Sequence, residues 1–171
     1  MNNSSSKTKK MVLAALFIAL QVVFARMLSI NTPLLRIGFS FLPVAMCSIL
    51  LGPLAGGIAA AIGDIIGATL FPTGPFFPGF TLSAFLSGAL YGLFTYRRAP
   101  SFISALIPVV INNVFVNIVM GTFWLSIILN KGYIALLPGR VTKNLLLIPI
   151  EAGMIFFFWK YVIKPNEARI V

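Results

Sequence analysis

Apolar residues gather into six runs, at 10 to 29, 36 to 51, 54 to 70, 80 to 96, 102 to 127 and 140 to 163. A helix that crosses a bilayer needs about 20 mostly apolar residues, fewer where it is short or enclosed in a bundle. Between the runs stand helix breakers: Asn31, Thr32 and Pro33; Gly52 with Pro53; Arg97, Arg98 and Pro100; and Asn130, Lys131 and Gly132 up to Pro138 and Gly139. The pattern predicts an all-α integral membrane protein, one membrane domain over 1–171, folded as a six-transmembrane-helix bundle. The second and third runs, parted by Gly52 and Pro53 alone, also suit a single broken hairpin.

One break is unlike the rest. Residues 71 to 80 read FPTGPFFPGF, with Pro72, Pro75 and Pro78 three apart among Phe71, Phe76, Phe77 and Phe80. Proline lacks the backbone donor, fixes its own φ and pushes the preceding residue toward extended backbone. The stretch is therefore expected to be non-helical, an extended polyproline-like segment acting as a stiff lid at the membrane surface. Phe71, Pro72, Thr73, Gly74, Pro75, Pro78 and Gly79 form this candidate gate.

Composition narrows the class. Of 171 residues, 59% are hydrophobic and 9% charged, against about one-quarter charged in soluble domains. Mean hydropathy is +1.01. The net charge of +10 comes from Lys and Arg scattered singly or in pairs, which gives no continuous basic face for nucleic acid. One cysteine, Cys47, and no histidine leave no disulfide, Cys/His metal site or histidine proton relay to build within the chain. Lys7, Lys9 and Lys10 before an apolar run look like the start of a signal peptide. With no soluble domain after it, that run is expected to remain as the first spanning helix.

Charge also orients the bundle. Six crossings put both termini on one side, and Lys7, Lys9, Lys10, Arg97, Arg98, Lys160, Lys164 and Arg169 fall on that side, which the positive-inside tendency makes cytoplasmic. Arg26, Arg36, Lys131, Arg140 and Lys143 are exceptions at the outer helix ends. Each alone can snorkel to headgroups; five together, with no acid in the outer loops, suit a vestibule that attracts anions.

Polar residues inside apolar runs are the candidate chemistry. Asp64, in AAAIGDIIGATLF, must face the bundle interior, either as part of a site or paired with Arg26 or Arg36. Glu151 raises the same alternatives, with a helix-locking hydrogen bond to Asn or Ser the simpler one. Asn113 and Asn117 lie four apart on one helical face, suited either to reading a heterocycle edge or to joining helices. Gly52, Gly56 and Ala60, Gly63 and Gly67, and Ala84, Gly88 and Gly92 step by four and allow close helix approach. Ala15 and Ala19 make a smooth patch near the cytoplasmic end of the first helix. No Walker phosphate loop, G-x-S-x-G elbow or H-E-x-x-H pair occurs, so a non-enzyme without cofactor or metal is expected, and any uphill transport would draw its energy from a partner.

RIGFSFLP at 36 to 43, GDIIGATLFPTGPFFPGFTLSAFLSG at 63 to 88, the YG at 91 to 92 and the Ala15/Ala19 step resemble the folate-specific substrate-binding (S) component of energy-coupling factor (ECF) vitamin transporters. The resemblance implies a bundle of the ECF S-component type in the cell membrane that captures folate or a reduced folate from outside. It also implies delivery to a partner module of one transmembrane scaffold and two ATP-binding subunits. FPTGPFFPGF would be a gate loop, and Ala15 and Ala19 would press against the scaffold. Folate chemistry then assigns roles: Arg26, Arg36, Arg140 and Lys143 to its carboxylates, Asp64, Asn113 or Asn117 to the pterin donors, and Phe76, Phe77, Trp124 or Tyr133 to stacking. The alternatives are an S component for another vitamin, riboflavin-like, and a purely structural membrane subunit; cationic thiamine is disfavoured by the basic residues.

Overall fold

A computed structural model describes residues 2–31, 36–72 and 75–165. They form helix α1 (Asn2–Arg26), a β-hairpin of β1 (Ser29–Asn31) and β2 (Arg36–Gly38), then α2 (Phe41–Leu51), α3 (Pro53–Leu70), α4 (Pro78–Thr95), α5 (Phe102–Leu129) and α6 (Tyr133–Ile163). Among the described residues α1, α3, α5 and α6 are long and apolar enough to cross a membrane, while α2 is apolar but shorter.

Three boundaries differ from those the apolar runs predict. Residues 27 to 29 and 36 to 40 are not helical: the chain leaves α1 at Arg26, Ser29 Oγ caps the helix by donating to the Ala25 carbonyl at 2.6 Å, and Ile30 pairs with Ile37 across the antiparallel hairpin. Hydropathy alone does not separate a β-branched edge from a helix end. At the last helix the expected break through Pro138 and Gly139 shrinks to Asn130–Gly132. Asn130 takes the left-handed conformation that ends α5, and Pro138 lies inside α6. Finally, Pro78, Gly79 and Phe80 are the first turn of α4 rather than part of an extended segment, because proline at the first helical position loses only a donor that has no helical partner there.

Gly52 alone joins α2 to α3. Its φ of 94° is the left-handed backbone that favours glycine, and it lets the two helices fold back on each other, with Pro53 opening α3. The helix α2 is the axis of the bundle, with every residue from Leu42 to Leu50 buried. Around it Ala45, Met46 and Ile49 share a core with Tyr91, Val109, Ala152, Ile155 and Trp159. Outward faces are apolar too, as Leu54, Ile58, Ile65, Phe115 and Leu146 show, which is what a lipid-facing surface requires.

Contacts fix the directions. Gln21 and Arg26 meet Gly63 and Gly67, so α1 and α3 run parallel; Pro53, Gly56 and Asp64 meet Gly92, Gly88 and Thr81, so α3 and α4 run antiparallel. The α5–α6 pair is antiparallel as well, through Asn113 with Glu151 and Asn117 with Arg140. One end of the bundle thus collects the C-terminal ends of α1, α3 and α5 with the N-terminal ends of α2, α4 and α6.

Candidate functional site

At that end a cavity of about 550 Å³ opens between the helices, within the size range of small-molecule sites. Its polar lining is seated by glycines. A Cβ at Gly63 would stand 2.6 Å from the Gln21 amide carbon, one at Gly67 3.0 Å from Arg26 Nε, and one at Gly121 2.5 Å from Arg140 Nη2. The small-residue step Gly63/Gly67 therefore does more than bring helices together. It makes room for two long polar side chains of α1 against the cavity wall.

The mouth carries opposite charges. Arg26, Arg140 and Lys143 line the cavity, and so does Asp64. Thr81 Oγ1 donates to Asp64 Oδ2 at 2.9 Å, and the charges of Asp64 and Arg26 attract each other. Arg140 Nη2 donates to the Asn117 carbonyl at 2.9 Å. That carbonyl belongs to Asn112–Met120, a stretch of α5 wound as a π-helix, the kind of local widening that recurs at functional sites.

Deeper, amides take over. Asn117 Nδ2 donates to Asn113 Oδ1 at 3.2 Å, and Asn113 Nδ2 donates to Glu151 Oε2 at 2.8 Å. Beside this chain Ser87 Oγ donates to Asn112 Oδ1 at 2.7 Å while Asn112 Nδ2 donates to the Tyr91 hydroxyl at 3.2 Å. The face of α6 that looks into the cavity reads Arg140, Lys143 and Asn144, Leu147, Glu151, a descent of about 16 Å at 1.5 Å per residue. It runs from cation to amide to carboxylate.

Pro75, Phe76 and Phe77 border the cavity from the side of the proline-rich break. Phe77 is held from behind by Trp124, ring centroids 5.5 Å apart, and Trp124 Nε1 donates to Ser83 Oγ at 3.1 Å. Gly79 permits this, since a Cβ there would lie 2.5 Å from the indole.

The cavity thus gathers Arg26, Asp64, Phe76, Phe77, Asn117, Arg140 and Lys143 from the residues singled out in the sequence. Asn113 is fully buried behind the lining, its amide engaged by Val109, Asn117 and Glu151, which turns it from a candidate reader into a brace. Trp124 supports Phe77 rather than facing the cavity, and Tyr133, the first residue of α6, lies outside the lining. Arg36 pairs with Asn31 through its backbone, but its side chain, like Thr73 and Gly74, falls outside the described residues. Phe71 and Pro72 are exposed beyond the end of α3. Ala15 and Ala19 are exposed on α1, the least buried of the long helices.

Sequence reasoning left out Gln21, Ser87, Tyr91 and Asn144, and left Glu151 open between a site role and a helix-locking hydrogen bond; it lines the cavity and accepts from Asn113. A signal existed for two of them: Asn144 and Glu151 follow Arg140 by four and eleven residues, both close to whole helical turns, so the three share a face. Tyr91 and Ser87 carry no such mark.

The chain matches the family model for the substrate-specific component of ECF transporters over residues 9–159. It is 44% identical over 156 residues to the folate transporter FolT of Clostridium novyi (strain NT), covering 91% of each chain. It is 32% identical to FolT of Leuconostoc mesenteroides subsp. mesenteroides, covering 88% of this chain and 84% of that one. Its fold superimposes with a TM-score of 0.84 on a crystal structure of FolT bound with folic acid, at 33% identity, covering 88% of this chain and 92% of the other.

Proposed function

Because the chain belongs to the family of ECF transporter substrate-specific components, we propose that it is the folate-binding membrane subunit of an ATP-driven vitamin uptake system. It captures folate or a reduced folate from outside and delivers it through a transmembrane scaffold subunit and two ATP-binding subunits. The observation that carries this reading is the cavity itself, with three cations at its mouth and amides and a carboxylate below, in a chain 44% identical to a folate transporter. Folate is built to the same order: two carboxylates on a glutamate tail, an aminobenzoate ring, and a pterin rich in donors and acceptors.

In this reading all six helices cross the membrane, with both termini in the cytoplasm beside Lys7, Lys9, Lys10, Arg97, Arg98, Lys160 and Lys164, and the cavity opens outward. Arg26, Arg140 and Lys143 hold the tail, since guanidinium forks suit carboxylates and the ammonium adds charge. Phe76 and Phe77 supply apolar ring surface at the mouth, and residues 71 to 79 gate it. Isothermal titration of the purified chain, without ATP or partner, is expected to show sub-micromolar folate binding and no comparable response to riboflavin or thiamine. No binding by any folate form would remove the proposal.

Arg26→Ala and Arg140→Ala are each expected to weaken folate by about 1.5 to 3 kcal/mol, the range for a hydrogen bond to a charged group. Pteroate, which lacks the glutamate, should bind less well to the unmodified protein and respond to neither substitution. Equal losses for the two ligands would refute the tail assignment, and this control also covers the brace that Arg140 places on the Asn117 carbonyl.

A further inference from the structure

We infer that the end of the bundle opposite the cavity carries a docking site for the headgroup of an anionic phospholipid, built from Arg97 in the α4–α5 turn and Lys160 near the end of α6. The inference is independent of which vitamin the cavity holds. It starts from a turn whose sequence opposes its backbone. Tyr96 has φ −60° and ψ 129°, Arg97 has φ 57°, and the Arg98 amide donates to the Thr95 carbonyl at 3.1 Å. These values match a type II turn, whose third residue needs a positive φ and so favours glycine or asparagine. An arginine stands there instead. Backbone held in a disfavoured region at an exposed position points to a role for the side chain it carries.

That side chain is laid over a ring. The Arg97 guanidinium carbon stands 5.1 Å from the Tyr96 centroid, and Tyr96 lies over Gly52, where an added Cβ would be 3.5 Å from its ring. Lys160, also exposed, is arranged alike: its Nζ is 5.5 Å from the Phe156 centroid and 5.4 Å from that of Tyr161. Phe156 links the two parts of the site, because its ring also meets that of Phe102 edge-on at 6.1 Å, and Phe102 opens α5 just after the turn. A ring occupies one side of a cation and leaves its other donors open to an anion.

Charge and setting identify the occupant. Of the three acids in the chain, Asp64 and Glu151 line the cavity at the other end and Glu167 falls outside the described residues. Among the described residues no carboxylate meets Arg97 or Lys160. Around these cations the surface is apolar, with Leu93, Phe102, Ile103, Phe157 and Tyr161 each at least 45% exposed. Exposed rings and aliphatic side chains next to uncompensated cations are the composition of a membrane interface. A free anion would satisfy the cations and leave the rings wet. A phospholipid satisfies both, with its phosphate toward Arg97 and Lys160 and its acyl chains along the apolar side chains. A zwitterionic headgroup brings a cation of its own, so an anionic one is the better complement.

The test titrates phosphatidylglycerol and phosphatidylcholine separately into the full-length protein in neutral detergent and counts bound lipid by native mass spectrometry. Phosphatidylglycerol should bind about tenfold more tightly than phosphatidylcholine, and Arg97→Gln combined with Lys160→Gln should remove that preference, at roughly fivefold per cation near an anionic surface. Lys7→Gln combined with Lys9→Gln takes the same charge from exposed positions of α1 at the same end and should change phosphatidylglycerol binding less than about twofold. Should the first double variant not accumulate, Arg97→Gly decides: glycine suits the turn, so only the charge is lost, and phosphatidylglycerol should weaken about fivefold. Equal binding of the two lipids to the unmodified protein overturns the inference, and so does an equal loss in both double variants, which would mean diffuse charge without a site. Displacement of bound phosphatidylglycerol by inorganic phosphate would make this a free-anion site and overturn it too. Unchanged lipid binding with lost uptake in the Arg97→Gln, Lys160→Gln variant would give the surface to a protein partner instead.

Discussion

Tryptophan at position 15 or 19 is expected to abolish ATP-driven folate uptake while the folate isotherm of the purified protein stays unchanged. Ala15 and Ala19 are four apart, hence on one face of α1, and both are exposed. Neighbouring Met11, Val12 and Leu16 are 73%, 65% and 54% exposed, so this part of α1 offers a bare apolar surface broken by two methyl-sized steps. Arg26, the α1 residue nearest the mouth, lies about 10 Å further along the axis from Ala19 and about 16 Å from Ala15. Interference at the proposed scaffold contact therefore separates cleanly from interference with capture. Uptake at the unmodified rate by either variant, with normal expression, would rule the docking role out; loss of binding together with uptake would place the damage in the bundle instead.

What the sequence made legible follows from which forces act locally. Apolar run length picked out six helices because each carries a continuous apolar surface, though among the described residues only α1, α3, α5 and α6 are long and apolar enough to cross a membrane and α2 is 11 residues. Boundaries were legible only where a backbone constraint acts by itself, as at Gly52, whose positive φ turns α2 back on α3. They were illegible where constraint and context compete. Pro78 reads as a breaker, yet it opens α4; Pro138 reads as one too, yet α6 runs through it. The site divides the same way. Arg26, Asp64, Arg140 and Lys143 stand out as charges in an apolar setting, and all four reach the cavity. The division of labour among Asn112, Asn113 and Asn117 was not readable, because it depends on the π-winding of α5, which changes which amides share a face. Nor was the seating of Gln21 and Arg26 against Gly63 and Gly67, since a step of four small residues has the same spacing whether it receives a helix backbone or a side chain.

Where the small residues do receive a backbone, the consequence is large. Alanine at position 88 is expected to lower the thermal midpoint of the detergent-solubilised protein, and alanine at position 153 to raise it. Both glycines are inside helices, α4 and α6, where propensity favours alanine by up to about 1 kcal/mol. Surroundings decide the sign. A Cβ at Gly153 finds nothing within 4 Å, so the propensity gain stands alone. A Cβ at Gly88 would sit 2.5 Å from the Gly56 carbonyl oxygen and 2.9 Å from the Gly57 Cα, main-chain atoms of α3 that no rotamer change can move aside. The helices must part, at a typical overpacking cost of about 1 to 3 kcal/mol, which exceeds the propensity term. Leucine at 88 should prevent accumulation of folded protein altogether. Parting α3 from α4 also strains the Thr81–Asp64 bond at the mouth, so folate affinity should fall with Gly88→Ala and hold with Gly153→Ala. If both alanine variants gain stability, α3 and α4 are not in backbone contact at Gly56 and Gly88.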